Sequence, residues 1–192
     1  VINNNYLPAN YDTQNKGRVT RWAAMSLKAR ILMFEGAGKY SEVLDITNKI
    51  INEGGFSLHG NYENLFTVEQ ENNSEVILDV QYKSVDREHQ VQYHFLPPSL
   101  GGYSQLSPLQ ELVDSYITLD GYDIKDAPNS SYDPSNPFEN RDPRLAATIM
   151  YTGNSYKLEN GSEHVVDSRK GVGPDGFGYS SDASATGYYF KK

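Results

Sequence analysis

Apolar residues first recur with helical spacing over residues 20–35, where TRWAAMSLKARILMFE carries them around nearly the whole circumference. Placed at about 100° per residue, only Arg21, Lys28 and Glu35 form a consistently polar seam. A helix of this kind needs neighbours on several sides. After a break at GAGK, the run YSEVLDITNKIINEGG sets Val43, Leu44, Ile46, Ile50 and Ile51 on one face and Glu42, Asp45, Asn48, Lys49 and Asn52 opposite. Gly54 supplies the stop. The two helices form an αα-hairpin in which Val43, Ile46 and Ile50 pack onto the first helix. Part of the set Trp22, Met25, Leu32 and Met33 then faces outward, toward segments outside this chain.

Beyond the hairpin the period changes. NNSEVILDVQY predicts a strand over residues 76–82 after a polar turn. A long loop follows over residues 86–105, with two prolines and two glycines among its aromatic residues. SPLQELVDSY then predicts a helix: Ser107 is placed to cap it, Pro108 to open it and Gln110 to complete a capping box, with Leu109, Leu112, Val113 and Tyr116 on one face. Asp120-Gly121 sits between apolar alternations, a hairpin signal. Residues 146–151 and 187–191 are strand-like, and residues 156–182 are mostly loop. The hairpin's spacing resembles one tetratricopeptide-type repeat, yet such repeats need about three copies to bury their faces, and one is present.

Composition narrows the function. A net charge of −8 disfavours nucleic acid and anionic membrane surfaces, both of which need clustered Lys and Arg. Without cysteine there is no thiolate nucleophile and no cysteine zinc site. No stretch approaches the ~20 apolar residues of a membrane span, and the sequence reads as an internal portion of a longer protein. Fifteen tyrosines are a heavy load of rings that can stack on a ligand while keeping a hydroxyl in water.

Each chemical motif has to outweigh its structural reading. GVGPDGFG over residues 171–178 matches G-x-G-x-x-G literally, but a weak strand precedes it, Pro174 interrupts it and no helix pattern leaves it, so nucleotide binding is rejected. His59, His89, His94 and His164 show no metal-ligand spacing. No pair among the acidic residues is marked out for glycoside hydrolysis, and the sequons at Asn72, Asn129 and Asn160 carry no weight without a secretory context. No cofactor or metal is expected. In NRDPRL, Pro143 pre-sets a turn, Asp142 can cap local N–H groups, and Arg141 and Arg144 can bridge to carbonyls or acids across it. These four are structural, because no nucleophile or base accompanies them.

The ordered set of residues 17–52, NNSEVILDVQY, SPLQELVDSY with DGYDI, FENRDPRLAATIMY and TGYYFKK resembles the SusD/RagB family of outer-membrane nutrient-binding lipoproteins of Bacteroidota. The resemblance implies a mainly α fold with irregular loops and short strands. A tetratricopeptide-like hairpin occupies residues 17–54 and a loop-rich ligand-binding region residues 55–192. It also implies a binding protein, not an enzyme, that passes an oligosaccharide to a SusC-like TonB-dependent transporter. The cell-surface lipid anchor would lie outside this chain. The alternatives are a RagB-like peptide binder, a helical-repeat adaptor and a fragment of a glycoside hydrolase. On residue chemistry the ligand contacts fall in the long loop, on Tyr93, Phe95 and Tyr103 beside Arg87, Gln92 and Gln105. Tyr103, between Gly102 and Ser104, is the best placed as an exposed platform, whereas Phe95 leans toward packing inward.

Overall fold

A computed structural model of the chain describes residues 6–83, 85–126, 129–158 and 160–191. It divides into two compact units, one ending at Arg87 and the other starting at Glu88. The fold is mainly helical with a few short strands.

The first unit is built on the expected helical hairpin. Thr20 caps α1 (Arg21–Glu35), its hydroxyl accepting the Ala23 N–H at 3.2 Å. The helix ends at Gly36, whose φ of 91° other residues rarely adopt. α2 (Tyr40–Glu53) closes where the Gly54 N–H reaches the Ile50 carbonyl at 2.9 Å. Trp22, Met25, Ala29 and Leu32 interlock with Ile46 and Ile50, and Ala9, Val43, Phe56 and Ile77 seal the edges. Full burial of a large apolar side chain contributes about 1.5–3 kcal/mol, so this cluster is the main support of the unit. Lys28 of the polar seam pairs with Glu42 at 2.7 Å and ties the two helices along their border.

The outward side of α1 differs from expectation in its members. Of Trp22, Met25, Leu32 and Met33, only Met33 is exposed. Leu27, Ile31 and Phe34 join it on the surface, and Phe34 is 92 % exposed. At helical spacing those three fall within roughly 60° of one another, opposite Met25 and Ala29, so α1 has two apolar sides and only one is used. On α2, Leu44 and Ile51 likewise point to solvent.

Residues 76–82 do not form the expected strand. Ile77 packs on the hairpin core, while Leu78, Val80 and Tyr82 are exposed. A strand needs a neighbouring strand, and the described residues show a turn and bends here instead, with the Val76 N–H bonded back to the Asn73 carbonyl at 3.2 Å and only the isolated Lys83–Arg87 bridge following.

In the second unit, α3 (Val91–Phe95) and a 3-10 turn at Pro98–Leu100 occupy what reads in sequence as structureless loop. α4 (Gln110–Ser115) starts two residues later than its capping signal implies, because the Ser107 hydroxyl donates to the Ser104 carbonyl at 3.1 Å instead. Val113 is buried, whereas Leu109 and Leu112 are exposed. Asp120-Gly121 makes its turn, the Thr118 N–H reaching the Tyr122 carbonyl at 2.9 Å, but no hairpin extends from it because Thr118 pairs with Arg141.

Residues 146–148, strand-like in sequence, complete α5 (Pro143–Thr148), since Asp142 and Pro143 open a helix that Leu-Ala-Ala continues. Only β1 (Ile149–Met150) is strand, paired antiparallel with β4 (Tyr189–Phe190). The segment between them holds an unforeseen hairpin of β2 (Ser155–Lys157) and β3 (Glu163–Val165). Two small cores result, one of Val113, Leu145 and Ile149, the other of Met150, Val166 and Tyr189. Phe138 stacks on Tyr151 at 3.8 Å beside the first.

Arg141 joins these parts. Only 5 % exposed, it donates to the carbonyls of Val113, Tyr116 and Pro137, each at 2.7 Å, and its guanidinium lies 5.4 Å from the centre of the Tyr132 ring. Asp142 accepts the Arg144 N–H at 2.9 Å as the α5 cap and also pairs with the Arg144 guanidinium.

Two outcomes follow. Arg141→Lys keeps the charge but cannot reach three carbonyls in a plane, so it lowers unfolding free energy by about 2 kcal/mol or more in urea titration. The Arg144 hydrogen bonds hold the Asp142 carboxyl below its ordinary 3.8. A depressed folded-state value stabilises the protein above that pH and ceases to do so as pH falls through the folded value. Asp142→Ala therefore costs about 1–2 kcal/mol at pH 7, and melting curves of the variant and the parent converge in acid.

Candidate functional site

The segment after Glu88 folds into a tight presentation of two tyrosines. α3 carries Tyr93, the 3-10 turn at Pro98–Leu100 reverses the chain, and residues 101–106 return alongside. Two backbone bonds fix the return: Tyr103 N–H to the Tyr93 carbonyl at 2.7 Å and Leu106 N–H to the His94 carbonyl at 2.9 Å. Their rings lie 6.2 Å apart, tilted by 36°, with Tyr93 42 % and Tyr103 51 % exposed. His94 Nδ1 donates to Gln105 Oε1 at 2.6 Å and holds that amide against α3.

The residues flanking Tyr103 explain how the ring is held. Gly102 is buried, and any Cβ there would collide with the carbonyl group of Leu96. Ser104 has φ of 47°, a left-handed conformation that a non-glycine residue adopts only when its surroundings impose it. Its hydroxyl donates to the Leu96 carbonyl at 3.3 Å. Tyr103 thus projects from a backbone with little freedom.

A buried acid supports the turn beneath. Asp175, 3 % exposed, accepts the Ser99 N–H at 2.8 Å and the Ser99 hydroxyl at 2.5 Å, and His164 Nε2 lies 2.8 Å from that hydroxyl oxygen. The trio has the residue types of a hydrolytic triad but not its wiring. A carboxylate only accepts, so the serine proton is committed to Asp175 and the imidazole donates to the serine oxygen, the reverse of a general base. Tyr189, fully buried, donates to the Asp175 carbonyl at 2.5 Å and accepts the Ser184 N–H at 3.1 Å. Burial pushes its phenol pKa up.

Of the six residues picked out in sequence, Tyr93, Tyr103 and Gln105 come together. Gln92 lies on α3 with an exposed side chain. Phe95 packs edge-to-face on Phe190 at 5.8 Å, the inward role expected for it. Arg87 belongs to the first unit, where its guanidinium lies 5.9 Å from the Tyr82 ring centre and its backbone pairs with Lys83. Ser99, His164 and Asp175 carry no sequence signal, being 65 and 76 residues apart in their contacts. Asp175 lies inside the glycine-rich GVGPDGFG, from which no helix departs. Among the described residues no group of His, Cys, Asp or Glu could hold a metal ion, and no helix is long and apolar enough to cross a membrane.

Comparison with known proteins gives the family. The profile described as the SusD family matches residues 62–192. The chain belongs to that family. It is similar over 96 % of its length to a SusD-like protein from Bacteroides fragilis, at 28 % identity and a TM-score of 0.75. A SusD-like carbohydrate binding protein from the same species matches over 97 %, at 27 % identity and a TM-score of 0.80. The chain spans only 38 % and 36 % of those two structures. No curated protein matches it.

The support of Tyr103 makes a direct prediction. Gly102→Ala forces the turn away from Leu96 and is strongly destabilising, by about 3 kcal/mol or more on the scale of imposed backbone strain and overpacking. A melting curve unchanged from the parent's would show that the return segment is not held as described.

Proposed function

We propose that this SusD-family chain binds carbohydrate through the Tyr93–Tyr103 platform and acts as a binding protein, not an enzyme. The observation that carries the reading is the pair of half-exposed, mutually tilted rings, with the Gln105 amide held by His94 on the same short helix–turn segment. Flat apolar faces suit the C–H faces of sugar rings, and neighbouring amides and phenol hydroxyls suit sugar hydroxyls. The similar structure described as carbohydrate binding supports the same ligand class. The net charge of −8 over the chain as a whole is unfavourable to a strongly acidic glycan.

In this reading residues 55–192 supply the ligand-binding region and the hairpin of residues 17–54 the scaffold. The glycan then passes to a SusC-like TonB-dependent transporter at the outer membrane, where a lipid anchor outside this chain holds the protein on the cell surface. Gln92, on the exposed side of α3, belongs to the same surface in this reading.

Calorimetry with a panel of neutral oligosaccharides, and a parallel panel of peptides, tests the ligand class. A cognate glycan binds, and Tyr103→Ala weakens it by roughly 1–3 kcal/mol if sugar stacking is comparable to base stacking. An unchanged dissociation constant in a variant with parental melting removes the platform from the site. Binding of peptides alone, or release of reducing sugar, overturns the carbohydrate-binding reading.

A further inference from the structure

The sequence contains a single Asn-Gly dipeptide, Asn160-Gly161, and the fold sets it at the exposed turn between β2 and β3. Asparagine followed by glycine is chemically labile: the next backbone nitrogen can attack the side-chain amide carbon, and glycine has no Cβ to obstruct the approach. Gly161 has φ of 83°, and among the described residues no heavy atom beyond its chain neighbours lies within 4 Å of where a Cβ would stand. The peptide is open on that side.

Two hydrogen bonds prepare the amide carbon for attack. Asn160 Oδ1 accepts the Ser162 N–H at 2.9 Å and the Ser162 hydroxyl at 2.6 Å. The first closes an Asx-turn, which folds the side chain forward over the Asn160–Gly161 peptide. Together they meet the oxygen on which negative charge develops when the carbon is attacked, as the donors of an oxyanion hole do. The Gly161 N–H donates to the Leu158 carbonyl at 2.9 Å. That bond has to open before the nitrogen can act, and at an exposed turn such opening costs little.

The two Asp-Gly steps of the chain lack this arrangement. Asp175 is buried with both oxygens committed to Ser99, and a Cβ at Gly176 would collide with the Arg169 carbonyl. Asp120 accepts from the Thr118 hydroxyl and the Ser131 N–H, and the Thr118 bond holds its carboxyl below the ordinary 3.8, as an anion from which no leaving group departs.

We propose that Asn160 is a site of self-modification, converting to aspartate and isoaspartate in the folded protein. The Gly161 nitrogen gives its proton to water or hydroxide and bonds to Asn160 Cγ. The Cγ–Nδ2 bond then breaks, Nδ2 takes up a proton and leaves as ammonia, and a succinimide remains. Water opens the succinimide at either carbonyl. One water is consumed and one ammonia released, with no oxidant or cofactor. Both products place a carboxylate at the turn, and the isoaspartyl form adds one main-chain atom between β2 and β3, whose pairing sets His164 opposite Tyr156.

Incubation of the intact chain at neutral pH, followed by tryptic digestion and mass spectrometry, tests this. Cleavage after Lys157 and Arg169 releases residues 158–169, in which Asn160 is the sole amide side chain. That peptide gains the mass of an amide replaced by an acid and is labelled by an isoaspartyl methyltransferase. Conversion in the chain is at least as fast as in a free synthetic peptide of the same residues. Ser162 is exposed, so Ser162→Ala retains parental melting. It slows conversion in the chain by roughly threefold to tenfold, the rate equivalent of one hydrogen bond, with no such slowing in the free peptide. Peptides carrying Asp120-Gly121 and Asp175-Gly176 take no label. Slower conversion in the chain than in the free peptide, an equal effect of Ser162→Ala on both or none on the chain, or label at either Asp-Gly step overturns the proposal.

Discussion

The second unit depends on the burial of one guanidinium. Its secondary structure is too short to stand alone: helices of five or six residues and strands of two or three leave most carbonyls without internal partners. The C-terminal turn of α4 is such a place, and the Val113 and Tyr116 carbonyls there are satisfied by Arg141. Because the same side chain also reaches Pro137, the residues before α5 are pinned to the end of α4 across 25 and 28 residues of chain. Among the described residues no acid pairs with that buried charge, which is costly, and three short charge-assisted bonds with ring contact offset the cost. One nitrogen, Nε, remains buried without a partner, so the compensation is incomplete.

A second tether works by the same physics with opposite sign. Asp175 is a buried carboxylate whose oxygens are met by the Ser99 N–H and hydroxyl and approached by His164 at 3.5 Å. Its own carbonyl accepts from Tyr189, the most deeply packed ring of the β1–β4 pair. Gln110 on α4 is held from the same strand end through Tyr188. Irregular backbone can be as fixed as a sheet when its polar groups close on buried side chains, and these loops are fixed in that way.

What was legible in the sequence follows from which interactions are local. α1 and α2 could be placed to within a residue because period, cap and glycine stop all lie inside the segments themselves. The strand at residues 76–82 failed because a strand is a property of two segments, and its β-branched pattern says nothing about a partner. In the apolar run of residues 146–151 the first three positions follow the helical period instead of the strand period, since Asp142 and Pro143 act as a helix start as well as a turn. Ser107 showed the limit of cap signals, as its hydroxyl found a nearer carbonyl. At the candidate site the aromatic and amide content of the loop was visible, but not the meeting of Tyr93 with Tyr103. The contacts of Ser99, His164 and Asp175 span distances that no spacing rule covers.

The conformation of the Tyr103 turn bears on how the proposed platform would bind a sugar. Holding a non-glycine residue at positive φ costs on the order of 1–3 kcal/mol, and Ser104 bears that cost in the folded protein whether or not a ligand is present. The strain is met by the bonds of Tyr103 to Tyr93 and of Leu106 to His94, and by the closeness of Gly102 to Leu96. Ordering a ring at the moment of binding would otherwise subtract about 0.5–1.5 kcal/mol for each side chain immobilised. A sugar offers weak, dispersed contacts, so a surface that orders its rings beforehand keeps more of that small gain. Rigid presentation of few rings therefore suits the proposed sugar ligand better than a larger mobile aromatic patch would.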